Sequence, residues 1–210
     1  MNHERERQAI VEAGRWLSAR GLAPGSSGNI SLRLGDGWLI TPTGAPLGRL
    51  DGARLSRLDE SGEPADGDPP TKERPLHLAV YEARPPTGAV VHLHSTWAVA
   101  LACLQGLESR PALAPLTPYQ VMRVHLIGIV PYARPGSTEI AQLVRARAQD
   151  HAVLLLANHG PVVAGTTLDE AVFAGEELEE VARLHFLLDG RPVRELSASE
   201  VDDIRRHLRR

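Results

Sequence analysis

Apolar residues recur at three- and four-residue spacing through residues 4–20, with Ile10, Ala13, Gly14 and Leu17 on one stripe. That period predicts an amphipathic helix, and Gly21 predicts its stop. The pattern then changes to alternation. Ile30, Leu32 and Leu34, followed by residues 38–41, flank a Gly35-Asp36-Gly37 turn, which predicts a β-hairpin within residues 25–44. Residues 59–70 (DESGEPADGDPP) carry neither period and predict a solvated connection. Thr71 is expected to cap a helix running to about Ala83, with Pro75 in its first turn and Pro85-Pro86 ending it. Residues 89–94 predict a strand, and residues 97–105 predict a short helix capped by Thr96. A second strand-like run, 151–157, turns through Asn158-His159-Gly160-Pro161 into 162–164. The capping box from Thr167 to Glu170 opens a last helix that stops near Gly190 and Pro192. With no repeat and no dividing linker, residues 1–210 are expected to form one α/β-sized domain.

Composition changes this picture little. A net charge of −3, without a block of like charges, argues against nucleic acid or an anionic membrane as partner. The longest apolar stretch, 89–107, has about the length of a membrane span, but it contains His92, His94 and a Ser95-Thr96 pair, so a membrane helix is not expected. The first seventeen residues carry charges where an export signal needs an apolar centre, which makes the cytoplasm the expected address. The lone Cys103, in the apolar run 97–104, is expected to be a buried structural thiol.

The candidate chemistry lies in the histidines. Side chains two apart on a strand share a face, so His92 and His94 in VVHLHST can present both imidazoles to one ion. His159, in the NHGP turn after a buried-looking strand, supplies a third ligand, and three neutral imidazoles favour zinc or another first-row divalent ion. Glu73 is the candidate acid or base; the competing reading is a carboxylate that merely complements the helix dipole. His77, four residues on, could ligate but reads better as a hydrogen-bonded core histidine and is left outside the site. His3, His125, His151, His185 and His207 show no ligand spacing. The loops 25–29 and 41–44 (including Ser27, Gly28, Asn29, Thr43 and Gly44) offer amides and hydroxyls of the kind that bind phosphate, although turn formation alone explains such glycines. Thr71 and Lys72 would complete an anion cradle if the fold brings them there.

Taken together, GSSGNIS, ITPTG, TKERPLH, VVHLHST and LLANHGPVVAG resemble the class II aldolase/adducin family in order and spacing, over nearly the whole chain. The resemblance implies a three-layer fold with a mainly antiparallel central sheet covered by helices, and a homotetramer with sites between subunits. It also implies zinc on His92, His94 and His159, possibly with Glu73, which is expected as catalytic acid/base. The implied phosphate site includes Asn29, Thr43 and Gly44. Where aldolases of the family have two serines before the glutamate, this chain has Thr71-Lys72. With APLTPYQVMRV, VPYARPGS and AGEELEEVARL, that departure resembles the branch acting on 3-oxo-tetronate 4-phosphates. The implied activity is decarboxylation of that sugar-acid phosphate to dihydroxyacetone phosphate and CO2, with Tyr119 as proton donor reaching a neighbouring subunit. A class II sugar-phosphate aldolase or a pentulose-phosphate 4-epimerase is the alternative. An adducin-like interaction module is disfavoured because all three histidines are present.

Overall fold

The structure, a computed structural model, describes residues 3–107, 113–124 and 126–208; His125 lies outside them. Eight strands form one sheet in the order β4-β3-β2-β1-β5-β8-β7-β6. They are β1 (Asn29–Leu34), β2 (Gly37–Ile40), β3 (Ser56–Leu58), β4 (Pro64–Asp66), β5 (Ala89–His92), β6 (Ile127–Val130), β7 (Val153–Leu156) and β8 (Gly160–Gly165). All neighbours run antiparallel except β6 and β7, which are parallel and joined by a helical crossover. The helices are α1 (Glu4–Ala19), α2 (Arg74–Ala83), α3 (Thr96–Ala102), α4 (Thr138–Ala148), α5 (Leu168–Leu187) and α6 (Ala198–Leu208). No described helix is long and apolar enough to cross a membrane.

Both faces of the sheet are covered, and the alternation of strand side chains shows how. On β5, Ala89 and Val91 pack with α1 and the start of α5, whereas Val90 packs with α2 and α4 on the opposite face. On β7, Leu154 and Leu156 join that second layer, and Val153 and Leu155 meet α3 and the rest of α5. A strand buried on both sides reads as an uninterrupted apolar run, and each fully buried aliphatic side chain contributes about 1.5–3 kcal/mol. Helix, sheet, helix is thus the three-layer, mainly antiparallel α/β arrangement expected from the sequence.

The structure shifts several of these expectations. α2 begins at Arg74, so Glu73 occupies the N-cap position in place of the first turn, and Thr71 does not cap; its hydroxyl instead accepts the Glu73 amide at 3.3 Å. α3 is shorter than expected, Ser95 is its N-cap, and neither Ser95 nor Thr96 caps it through a side chain. Two amides of its first turn, Trp97 N and Ala98 N, donate to the carboxylate of Glu179 on α5, at 2.9 and 2.8 Å. β5 ends at His92, so His94 lies two residues beyond, in the link to α3. The connection 59–70 contains β4, an exposed edge strand whose pairing is carried by its backbone and left no periodic signal. Cys103 is exposed, because it lies at the C-cap of α3, past the residues that face α5. The sequence reading did not foresee β3, β6, α4 or α6.

Candidate metal centre and cleft

β5 delivers His92 to the floor of the centre with its ring fully buried. Its Nδ1 lies 2.8 Å from the carbonyl oxygen of Pro161 on the adjacent β8, so that nitrogen carries the proton and donates it, and Nε2 presents its lone pair inward. Two residues on, His94 Nε2 comes within 3.1 Å of His92 Nε2, and His159 Nε2 within 3.3 Å of it. His159 is placed by the turn between β7 and β8. Asn158 there adopts a left-handed conformation, φ 57°, which asparagine tolerates better than most residues. Gly160, at φ 155°, allows the backbone to press against the residue that follows β5; a Cβ at that position would lie 2.4 Å from Leu93 O.

Glu73 closes the group. Its Oε2 is 3.3 Å from His92 Nε2, and its Oε1 is 3.4 Å from His159 Nε2. Asn29, the first residue of β1, donates from Nδ2 to Glu73 Oε2 at 2.9 Å. One ligand atom each from Glu73, His92, His94 and His159 lies within 4.8 Å of the others. These residues fit a divalent ion. Burial pushes the pKa of both His94 and His159 down to about 4, aided by His92 and opposed by Glu73, so both rings are neutral at pH 7 and hold a lone pair for a metal. Burial raises Glu73, but the imidazole of His92, the Asn29 amide and His159 beside it outweigh that, holding the carboxyl far below the usual range. Glu73 Oε1 is buried and makes no hydrogen bond, a costly state for a carboxylate oxygen unless a cation serves it. Three imidazoles and a carboxylate suit zinc or a similar first-row ion.

The centre opens on a cleft of about 750 Å³. Its wall includes all the other predicted cradle residues: Ser27, Gly28, Asn29, Thr43, Gly44, Thr71 and Lys72. Gly28, at φ 80°, lets its loop approach β5, where a Cβ would meet His92 O at 3.0 Å. The amides play a smaller part than the sequence suggests. Those of Ser27, Thr43 and Thr71 donate to Pro24 O, Pro69 O and Thr41 O, and the Ser27 hydroxyl also donates to Pro24 O. Thr96, Val99, Pro135, Gly136 and Asn158 also line the cleft and were not expected there, whereas Ser26 and Pro42, which line it too, lie within the loops 25–29 and 41–44 named from the sequence. Proximity to the quoted motifs could have found Asn158 and Thr96; nothing in the local chemistry of Pro135 and Gly136 marks them. Tyr119 does not reach the cleft of its own chain. It is 59% exposed, beside the π-helical turn Gln120–Val124. His77 lies outside the ligand group, fully buried and hydrogen-bonded, as expected.

Residues 8–186 match the class II aldolase and adducin N-terminal domain. The 3-oxo-tetronate 4-phosphate decarboxylase of Escherichia coli K12 is 54% identical over 200 residues, covering 95% of this chain and 94% of that protein. The L-fuculose phosphate aldolase of the same organism is 31% identical over 205 residues, covering 96% and 93%. The crystal structure of YgbL from Klebsiella pneumoniae superposes with a TM-score of 0.91 at 49% identity, covering 96% of this chain and 98% of that one.

Proposed function

The chain belongs to the class II aldolase and adducin family, and on that premise we propose that it decarboxylates a 3-oxo-tetronate 4-phosphate to dihydroxyacetone phosphate and CO2. The observation that carries the reading is the convergence of His92, His94, His159 and Glu73 at a cleft that is also lined by the hydroxyl residues Thr43 and Thr71 and by Lys72. When bound there, a zinc or similar ion supplies Lewis-acid charge to the substrate oxygen that becomes negative as the C1–C2 bond breaks.

The residues of the chain divide the remaining work. Lys72 and the hydroxyls of Thr43 and Thr71 hold the phosphate end. A cation beside the departing carboxylate would oppose the reaction, since charge leaves that group, so Lys72 serves best at the phosphate. The electron pair left on C2 must take up a proton to give the product's CH2OH. Glu73 is anionic in its present surroundings, so it supplies that proton after collecting one from solvent, or Tyr119 of a neighbouring copy supplies it. The second role fits a homotetramer and the exposure of Tyr119 on its own chain. Aldol cleavage of a ketose phosphate leaves the same charge on the same oxygen, and the 31% identical aldolase keeps that reading in view.

The test is to load purified protein with zinc and supply a 3-oxo-tetronate 4-phosphate. Equal amounts of CO2 and dihydroxyacetone phosphate are expected. Aldehyde release from a ketose phosphate, with no turnover of the oxo acid, would replace the proposal with the aldolase reading.

A further inference from the structure

Glu73 is held from behind as well as from the cleft. Behind it runs a file of buried side chains: Tyr81, Ser31, His77 and Asn29, each no more than 5% exposed. The contacts are Tyr81 Oη to Ser31 Oγ at 2.9 Å, Ser31 Oγ to His77 Nδ1 at 2.7 Å, His77 Nε2 to Asn29 Oδ1 at 2.5 Å and Asn29 Nδ2 to Glu73 Oε2 at 2.9 Å.

The chemistry of the two ends gives this file one direction. Glu73 Oε2 can only accept while the carboxylate is ionised, so Asn29 must turn its NH2 toward it and its carbonyl oxygen toward His77. That oxygen needs a donor, so His77 carries its hydrogen on Nε2. Its Nδ1 then accepts from the Ser31 hydroxyl, and Ser31 in turn accepts from Tyr81. Burial keeps His77 neutral, with a pKa lowered to about 3, so the ring has one hydrogen and one lone pair, as the file requires. A histidine that merely filled the core would need partners, but not partners in one sense ending on a cleft carboxylate. If the Nε2–H is lost, the Asn29 carbonyl oxygen has no donor behind it and only the carboxylate still orients the amide, so Glu73 is held less firmly toward the histidine nitrogens.

We propose that His77 is a positioning residue for Glu73, acting through the Asn29 amide, with Ser31 and Tyr81 selecting the ring tautomer that makes this possible. The role deepens the metal-dependent reading above and rests on it for its effect on turnover, but not for its effect on metal binding.

The experiment compares wild type with His77→Leu, His77→Gln and Ser31→Ala. Three quantities are read for each: zinc affinity by chelator competition without substrate, kcat and KM on the oxo-tetronate phosphate, and Tm of the metal-free protein. Partners behind a metal ligand typically account for 10–100-fold in metal affinity or activity. His77→Leu is expected to weaken zinc binding and lower kcat about tenfold or more, with KM changed less. His77→Gln, which can place an N–H near the same point, is expected to recover most of both. Ser31→Ala is expected to lie between, and it carries the test if His77→Leu does not fold. Equal losses in His77→Leu and His77→Gln that follow only the fall in Tm would overturn the proposal, as would zinc affinity and kcat within twofold of wild type in a folded His77→Leu or Ser31→Ala. If wild type does not turn over the oxo acid, the functional reading fails on its own, and the zinc measurements still decide the role of His77.

Discussion

The carboxylate of Glu179 is the most informative place to perturb the scaffold beneath the metal centre. It is 8% exposed, projects from α5, and accepts the Trp97 and Ala98 amides of α3 at 2.9 and 2.8 Å. It therefore does for α3 what an N-cap side chain does elsewhere, and Ser95 provides no side-chain cap of its own. Glu179→Gln keeps the shape but replaces one acceptor oxygen with NH2, so one amide loses its partner and faces another donor. An unmatched buried donor costs about 1–3 kcal/mol, and loss of the charge at a helix N-terminus about 0.3–1 kcal/mol more. The expected destabilisation is then about 1–4 kcal/mol. For a chain of this size that corresponds to a fall in Tm of roughly 3–15 °C. Urea unfolding of the metal-free protein should show a lower midpoint with an unchanged slope. Because His94 is two residues ahead of α3, weaker metal retention should accompany the loss. A Glu179→Gln protein melting within 2 °C of wild type would show that the contact with α3 contributes nothing and that the capping argument is wrong.

Other outcomes follow from the site. Glu73→Gln should keep KM within a few-fold and lower kcat by about 10²-fold or more, measured by CO2 release; a small effect would remove Glu73 from proton transfer. Removing the metal with a chelator, or changing His94 to Ala, should abolish turnover and stoichiometric zinc together, checked by metal analysis beside the assay. Lys72→Met should raise KM about tenfold or more with little change in kcat; a collapse of kcat at constant KM would move Lys72 away from the phosphate. The metal-free protein should lose stability in acid. His77 has a folded pKa of about 3 against a usual value of 6.5, so its contribution is fully present above pH 6.5 and is lost as pH falls toward 3. The slope from this group alone approaches about 1.4 kcal/mol per pH unit, and urea titrations between pH 6 and 4 should show it reduced in His77→Gln. Glu73 adds in the same direction below pH 4.5, since its carboxyl is lowered in the fold.

What could be read beforehand was whatever repeats locally or sits in a short motif. The α1 stripe, the hairpin of β1 and β2 and the Thr167 cap of α5 are local devices, and the Thr167 hydroxyl accepts the Glu170 amide at 3.2 Å as a capping box requires. His92, His94 and His159 were recognisable because metal chemistry restricts ligand type and because the turn around His159 stands out. What escaped depends on distant partners. Nothing near Ser95 indicates that its helix is capped from α5, more than eighty residues away. β4 pairs through its backbone alone, with all its residues exposed, so no side-chain period could betray it. The N-cap of α2 moved from Thr71 to Glu73, and Thr71 N donates to Thr41 O, a long-range bond within the chain that ties this turn to the segment after β2. Cys103 failed by one helical position: its neighbours Leu101 and Ala102 face the core, and it does not.

The antiparallel ladder between β5 and β8 has a consequence for redesign. His92 is tied by its backbone pairing with Val162 and by its ring to Pro161, so this ladder fixes one corner of the ion-holding group. The surfaces that would touch a ligand come from elsewhere: the segments before β1, after β2, before α2 and between β6 and α4. Grafting a different sequence between β6 and α4 leaves all four candidate ligands in place, whereas the segment before α2 carries Glu73 and cannot be exchanged freely. The cleft wall can therefore be varied without touching the four candidate ligands, and a library confined to residues 131–135, which spares the left-handed Gly136 and the Ser137 cap of α4, would do so.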